Sequence, residues 1–383
     1  RISALLLALV LLCSLGAIPA GALSPYPAFE TIILFTHDLH SHFLPQPAED
    51  GGESGGYARL KTAIDAEKEK YPDALLLDGG DFSIGSLIQT LYTTQAAELR
   101  TMGALGYDAT TIGNHEFDHT GTGFARMLTA AVESSDTVPA VLEANYRPAD
   151  SNPDKDFIQK AMDNYGVQET MLLERGGVTY GIFGLMGVDA DECAPTSGFA
   201  REDAVQAAKR CVTSLKEQGA QFIICLSHSG TGDSLETSED EELAKAVDGI
   251  DVILSGHTHS TLTEPLVVNN TYIVSAGPYC QNLGSITLLK YKDASGSKEL
   301  LDYHLTPIDE TLAEDPDTAA MVETWKTKVG ETYLSRYDLT YDQVLTTTEF
   351  DLNTPVSGIQ EGNNLGELVA DAFLWATENL EVN

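Results

Sequence analysis

The chain has 383 residues, which is long for one ordinary domain and suits one large domain with part of a second. Hydrophobic residues make up 43% of the chain, which argues against gross disorder. The formal net charge of -36 opposes binding to nucleic-acid polymers, because such binding depends on Lys and Arg. It equally opposes attraction to an anionic membrane surface.

The first 24 residues have the pattern of a secretory signal peptide. The basic Arg1 precedes an apolar run that starts at Ile2, and the small residues Ala20, Gly21 and Ala22 close it. A membrane helix is the alternative, although the run is short for a full span. We therefore expect a secreted, periplasmic or cell-surface bacterial protein with no stable membrane span after signal cleavage.

Short apolar runs then alternate with helical patterns. The predicted strands cover residues 31–35, 74–78, 108–113, 139–145, 178–187, 222–227 and 251–255. The predicted helices cover residues 56–70, 93–105, 201–218 and 239–247. This alternation predicts a layered α/β fold, and the strand-rich stretch 271–306 predicts an antiparallel portion of the sheet.

The C-terminal part changes character. Residues 310–336 are predicted to be helical, either as a connecting helix or as a packed helix of the main domain. Residues 340–352 are predicted as a strand and 362–382 as a helix with an apolar face. Because such a face gains its stability from tertiary packing, we expect the last ~40 residues to need the remainder of a second domain.

Potential metal ligands follow five of the predicted strands. They are Asp38 and His40, Asp81, Asn114, His228, and finally His257 and His259. In open α/β sheets, ligands gather at the loops that follow strand C-termini. The Asp38-Leu39-His40 and GGD signals alone are typical of turns, whereas GNHE (113–116) is unusual after a buried strand and GHTH (256–259) gives two imidazoles the spacing of a chelate on an extended chain. The five signals together, in this order, favour a metal site.

Five motifs, THDLHSH, GGD, GNHEFD, SHSG and GHTH, resemble those of the metallophosphoesterase superfamily across about residues 30–305. GGYARL (55–60), AGPYCQNLG (276–284) and NLGELVADAF (364–373) further resemble the bacterial 5'-nucleotidase/UDP-sugar hydrolase (2',3'-cyclic phosphodiesterase) family. One departure is His37, which stands where that family commonly has Asn. It leaves open how the adjacent Asp38 is hydrogen-bonded.

The resemblance implies a four-layer α/β/β/α metallophosphoesterase sandwich followed by the start of a 5'-nucleotidase C-terminal domain. The expected boundaries are a signal peptide at 1–24, a catalytic domain at 29–308, a connecting helix at 309–338 and a partial, C-terminally truncated substrate-binding domain at 339–383. The residues that recognise the nucleoside base would lie in that second domain.

The resemblance also implies roles for the ligands, with two divalent metal ions as cofactors. Asp38, His40 and His259 would bind one ion, Asn114, His228 and His257 the other, and Asp81 would bridge both. Independently, a mixture of carboxylate, amide and imidazole donors suits zinc, manganese or a similar ion better than magnesium or calcium. A water held by two such ions would have its pKa lowered towards neutrality and become the nucleophile.

His115 is expected to act on the substrate rather than on the metals. Beside Asn114, it would stabilise charge in the transition state and protonate the leaving oxygen. Asp118 resembles the carboxylate that orients this histidine, although a carboxylate that starts a helix or turn would have the same spacing. Asn114 is expected to contact the substrate as well.

The predicted function is hydrolysis of nucleoside 5'-monophosphates, a small-molecule substrate class, with UDP-sugars as further substrates. One alternative is a 2',3'-cyclic-nucleotide phosphodiesterase of the same family. Another is a surface binding protein with a degenerate phosphatase module, which the complete set of seven ligands opposes. The sequence specifies neither an oligomeric state nor a disulfide pairing, and a Cys193–Cys211 bridge is only one option.

Overall fold

The structure, a computed structural model, describes residues 28–48, 51–232, 238–292, 296–350, 352 and 363–379. The chain divides into two compact units, residues 1–333 and 334–383. The expected signal peptide lies outside the described residues. In the part of the chain that the structure describes, none of the helices has the length and apolar character needed to cross a membrane.

Sixteen strands are present in the described part of the first unit. They are β1 (Ala28–Thr36), β2 (Gln46–Pro47), β3 (Glu53–Ser54), β4 (Leu75–Asp78), β5 (Ala109–Thr111), β6 (Ala140–Leu142), β7 (Tyr146–Pro148), β8 (Thr170–Arg175), β9 (Val178–Met186), β10 (Phe199–Arg201), β11 (Phe222–His228), β12 (Val252–Ser255), β13 (Leu266–Val268), β14 (Thr271–Val274), β15 (Asn282–Tyr291) and β16 (Lys298–Pro307). The predicted run of strands from residue 31 to residue 255 is confirmed at each of its seven positions.

The α-helices of the described residues are α1 (Tyr57–Lys70), α2 (Tyr92–Gln95), α3 (Ala97–Leu105), α4 (Thr120–Ser134), α5 (Lys155–Tyr165), α6 (Val188–Cys193), α7 (Ala204–Glu217), α8 (Glu239–Ala246), α9 (Pro316–Thr332) and α10 (Asn364–Asn379). The helix predicted at 93–105 is interrupted at Ala96, whose left-handed backbone (φ 48°) ends α2 and precedes α3. Helices α4, α5 and α6 were not predicted from the sequence.

Twelve of the described strands form two six-stranded sheets. One has the order β16-β15-β1-β4-β5-β6 and the other has the order β13-β14-β12-β11-β9-β8. The strands β1, β4, β5 and β6 are parallel, whereas β15 is antiparallel to β1. In the second sheet β9, β11, β12 and β14 are parallel. The predicted antiparallel portion is therefore confirmed in β15 and β16.

The two sheets pack face to face over a shared apolar core. Phe35, Leu77, Ile224 and Leu254, drawn from both sheets, are fully buried within it. Gly184 on β9 shows how closely the sheets approach, because a Cβ atom there would lie 2.0 Å from a backbone oxygen of Leu142 on β6. Any side chain at that position would force the sheets apart.

Helices cover both outer faces. The second sheet packs against α7 and α8 through a separate buried cluster that includes Phe183, Leu215 and Leu243. On the first sheet, α1 buries Leu60 and Ile64 and α4 buries Phe124 and Leu128. The order of layers is helix, sheet, sheet, helix, which confirms the predicted four-layer α/β/β/α fold.

The helix predicted at 310–336 is α9, which is part of the first unit and packs within it. Val322, Trp325 and Val329 are buried, and the indole N–H of Trp325 donates a hydrogen bond to Thr101 Oγ1 at 2.9 Å. The domain boundaries given above, including the connecting role of this segment, stay predictions.

The predicted strand at 340–352 is wrong for the residues that the structure describes. Residues 340–350 contain turns and irregular backbone without strand pairing. The helix predicted at 362–382 is confirmed as α10, which exposes Phe373 and Trp375 at 70% and 68% of their surface. The optional Cys193–Cys211 bridge is absent, since both cysteines are free.

Candidate metal centre

The seven predicted ligands lie together at the carboxyl ends of the central strands. The first sheet delivers Asp38 and His40 after β1, Asp81 after β4 and Asn114 after β5, and the second delivers His228 at the end of β11 and His257 and His259 after β12. Residues separated by more than 200 positions in the sequence are thereby brought within hydrogen-bonding distance.

One set of donors contains Asp38, His40 and His259. The Nε2 atoms of the two histidines are 3.0 Å apart, and Asp38 Oδ1 lies 3.3 Å from His259 Nε2 and 3.7 Å from His40 Nε2. No described group donates a hydrogen bond to this buried Oδ1. A buried carboxylate oxygen that faces two imidazole nitrogens is the arrangement expected where a cation binds.

The second set contains Asn114, His228 and His257. Asn114 Oδ1 lies 3.2 Å from His228 Nε2 and 3.0 Å from His257 Nδ1. An amide oxygen between two imidazole nitrogens matches the mixed donor chemistry of zinc and similar ions.

Asp81 lies between the two sets. Its Oδ2 is 3.1 Å from His228 Nε2 and 3.9 Å from His40 Nε2, while its Oδ1 accepts the backbone N–H of His115 at 2.8 Å. One carboxylate oxygen therefore faces donors of both sets, which is the placement that a bridging ligand requires.

The outer nitrogens of two histidines are already occupied. His40 Nδ1 lies 3.1 Å from the carbonyl oxygen of Ile84, and His228 Nδ1 lies 2.8 Å from that of Gly79. A carbonyl only accepts, so each Nδ1 carries the proton and donates it. The Nε2 lone pair of each ring is left facing the cluster, as metal binding requires.

His37 answers the question that the sequence left open about Asp38. Its Nε2 accepts backbone N–H groups of Ala276 and Gly277 at 2.8 and 2.9 Å, so the proton is on Nδ1, which donates to Asp38 Oδ2 at 2.5 Å. Burial alone would raise the pKa of Asp38, but the imidazoles of His259, His37 and His40 hold that pKa well below its usual range. Asp38 is thus an anion that a histidine orients.

Several of the predicted ligands have a strained backbone. Asp38, His40, Asp81, His257 and His259 all have left-handed φ angles, of 50°, 48°, 50°, 77° and 55°. Residues other than glycine seldom adopt this conformation, and it costs about 1–3 kcal/mol at each position. The surrounding fold evidently holds the loops in place against that cost.

Glu116, to which the sequence analysis gave no role, ties two ligand loops together. Its fully buried carboxylate accepts the backbone N–H groups of Asp81 at 3.1 Å, Ser83 at 3.1 Å and Gly113 at 2.7 Å. Gly113 must be glycine at this junction, because a Cβ atom there would lie 2.1 Å from Asp81 Oδ1. The signal in the sequence was an acidic residue directly after His115, because a carboxyl group that becomes buried needs hydrogen-bond partners.

The His115 side chain is half-exposed at the rim of the cluster. Its Nδ1 lies 2.9 Å from Asp118 Oδ2, and its ring centre is 5.0 Å from that of His40. Burial disfavours the His115 cation, but the hydrogen bond to Asp118 and the charge of Asp81 outweigh that effect and raise its pKa to about 9. The protonated ring can therefore donate a proton beside the predicted metal ligands.

Tyr279 is another residue that the sequence analysis missed. Its ring stacks on His42 at 4.6 Å between centres and meets His259 edge-on at 5.1 Å. Its backbone N–H donates to the carbonyl of Asp38 at 2.7 Å, which places it beside the first set of donors. The only hint in the sequence was its position within AGPYCQNLG.

Comparisons with known proteins agree with this geometry. Residues 32–261 match the family model described as calcineurin-like phosphoesterase. The chain is 28% identical to the trifunctional nucleotide phosphoesterase protein YfkN of Bacillus subtilis, over 90% of this chain and 23% of that protein. It is 32% identical to the probable 5'-nucleotidase of Treponema pallidum, over 61% of this chain and 37% of that protein.

A solved structure is also similar. The crystal structure of the 5'-nucleotidase precursor from Thermus thermophilus superposes with a TM-score of 0.70 at 26% identity, covering 92% of this chain and 68% of that one. The chain spans well under half the length of the Bacillus and Treponema relatives, 23% and 37% of them.

Proposed function

The chain belongs to the calcineurin-like phosphoesterase family, and on that premise we propose that it hydrolyses nucleoside 5'-monophosphates with the help of two divalent metal ions. The observation that carries the proposal is the position of Asp81, with one carboxylate oxygen between two separate sets of donors. The family itself supports the broader activity, which is metal-dependent hydrolysis of phosphate esters.

The donor set fits two ions of the zinc or manganese type. We propose that Asp38, His40 and His259 hold one ion and that Asn114, His228 and His257 hold the other, with Asp81 shared. Bound ions of this kind neutralise phosphate charge and lower the pKa of a coordinated water. An acidic protein with a net charge of -36 could accept an anionic substrate at such a site, because the ions reverse the local field.

The side chains at the rim would bind the substrate. Asn114 and His115 would contact the phosphate, and Asp118 would favour the protonated form of His115 and orient its ring. The Nδ1–H of His115 is hydrogen-bonded to Asp118, so the Nε2 proton is the one available for transfer. As water adds to phosphorus and the bond to the leaving oxygen breaks, His115 would donate this Nε2 proton to that oxygen.

Nucleotides are proposed as the substrates because relatives are named for them. The Bacillus protein is called a nucleotide phosphoesterase, and the Treponema and Thermus proteins are called 5'-nucleotidases. UDP-sugars and 2',3'-cyclic nucleotides remain candidate substrates of the same centre. A binding protein with a degenerate phosphatase module is disfavoured, since all seven positions have competent donors that converge. Export by the N-terminal segment belongs to the proposal as well.

The test is a phosphate-release assay of the 383-residue chain with Mn²⁺ or Zn²⁺ on AMP, UDP-glucose, 2',3'-cyclic AMP and an aryl phosphate. We expect metal-dependent release from the aryl phosphate, and a preference for AMP that grows when the chain is extended through a complete second domain. Equal AMP efficiency in both chains would assign specificity to the first unit instead. No release from any ester in the presence of metal would contradict the proposed activity.

A further inference from the structure

His257 contacts a different group through each ring nitrogen. Its Nδ1 lies 3.0 Å from Asn114 Oδ1, inside the second donor set, while its Nε2 lies 2.9 Å from Asp189 Oδ2. The His257 side chain is only 9% exposed, whereas that of Asp189 is 72% exposed. A nearly buried imidazole is therefore held from the solvent side by one carboxylate.

The structure fixes the place of Asp189 through its backbone. It is the second residue of α6, which begins directly after β9, the strand that pairs with the strand carrying His228. The carboxylate of Glu239, at the start of α8, accepts the backbone N–H groups of Val188 at 2.8 Å and Asp189 at 3.0 Å. The side chain of Asp189 is thus exposed, but hydrogen bonds to Glu239 of α8 fix its backbone.

A carboxylate at this position determines which nitrogen of His257 carries the proton. An ionised carboxylate only accepts hydrogen bonds, so the proton resides on Nε2 and the Nδ1 lone pair faces Asn114 and the cluster. In His40 and His228, backbone carbonyls fix the position of the proton in the same way, by accepting the Nδ1–H. Asp189 differs in that it is a carboxylate, and an outer carboxylate partner strengthens a histidine as a metal ligand.

We infer that Asp189 is a positioning residue, which orients His257 and strengthens it as a ligand of the second ion. The inference rests on the two-ion centre proposed above, and no feature of the sequence indicated it. The residue acts through His257 and does not itself touch the substrate. Its loss should therefore weaken the binding of the second ion. The binding of the first ion, held by Asp38, His40 and His259, should be unaffected.

The expected size follows from the exposure of the carboxylate. Loss of an outer partner of a metal-binding histidine typically costs about 10- to 100-fold in metal affinity, and a solvent-screened carboxylate should lie near the lower end. We expect Asp189→Ala to lower the affinity for one of the two ions about tenfold. Asp189→Asn keeps a neutral acceptor at the same distance and should lower that affinity less.

The experiment measures the two dissociation constants by chelator competition in the full chain, with the absorption spectrum of the Co²⁺-loaded protein as a second readout. The variants are Asp189→Ala, Asp189→Asn and the matched control Glu192→Gln, which removes an exposed carboxylate from the same helix. Support would be a selective loss at one ion, in the order Ala greater than Asn, with a changed Co²⁺ spectrum and an unaffected control.

Four results would overturn the inference, and they differ in what else they overturn. If the wild type bound two ions and Asp189→Ala bound them equally tightly, this inference alone would fail. If the wild type bound no metal, the proposed centre would fail with it. An equal loss at both ions in Asp189→Ala, or the same loss in Glu192→Gln, would show a general charge effect rather than positioning. Thermal unfolding of the metal-free variants checks that they fold alike.

Discussion

The two large sheets contribute unequally to the metal centre. The first sheet supplies every oxygen donor, Asp38, Asp81 and Asn114, together with one imidazole, that of His40. The second sheet supplies imidazoles alone, those of His228, His257 and His259. Each proposed ion would take ligands from both sheets, so a bound ion would join one sheet to the other.

The two contributions also differ in how firmly they are held. Asp38 and Asp81 are buried, and backbone N–H groups of His257 and His115 donate to their carboxylates. On the other sheet, the side chain of His228 is fully buried but that of His259 is 34% exposed. The oxygen side is therefore built into the loops, whereas the imidazole side ranges from buried to accessible to water.

The largest effect is expected on the oxygen side. Asp81→Ala should abolish activity and lower the content of both ions, because its Oδ2 faces donors of both sets. Metal analysis and a phosphate-release assay measure the two effects together. Retention of two ions in the variant would refute the bridging assignment and remove the difference between the two sides.

The next effect concerns His115, which lies on the oxygen side without being proposed as a ligand. His115→Ala should slow turnover by about two to three orders of magnitude while metal content stays nearly unchanged, because a proton donor is lost but no ligand is. A suitable control is His304→Ala, which removes a half-exposed histidine paired with Asp302 at 2.8 Å on β16. A fall of metal content in step with activity would reclassify His115 as a ligand.

The smallest expected effect is a difference in metal affinity between two variants on the imidazole side. Loss of an outer partner alone costs about 10- to 100-fold in metal affinity, so loss of the buried ligand in His228→Ala should exceed 100-fold. His259→Ala should stay within about 10- to 100-fold, because water can enter at this exposed position and replace the imidazole. Chelator competition measures both variants. Equal losses of affinity would show that the exposure of a ligand does not determine how much it contributes to metal binding.

The sequence was informative where function depends on strand ends. The seven strands that deliver or flank the ligands are short, apolar and followed by turns, so their existence and the convergence of the ligands were predictable. The separation of Asp38, His228 and His259 along the chain did not matter, because the parallel arrangement brings carboxyl ends to one edge.

Contacts that cross between loops were not predictable in this way. Asp189 and His257 are 68 positions apart, and His37 and Ala276 are 239 apart, with no periodic pattern linking either pair. The failed strand at 340–352 has a related cause. Its composition favours extended backbone, but a strand requires a partner, and the described residues of the second unit include no other strand.

The left-handed backbone at five of the seven proposed ligands has a consequence for evolution under selection. Glycine adopts such angles freely, so replacement of a proposed ligand by glycine would relieve backbone strain of about 1–3 kcal/mol in the metal-free protein. At Asp38 and Asp81 the loss of the hydrogen bonds that their carboxylates accept would oppose this gain. Selection for heat resistance alone, without a demand for activity, would thus tend to dismantle the centre one residue at a time. Retention of these residues in strained loops is therefore expected only under selection for the proposed activity.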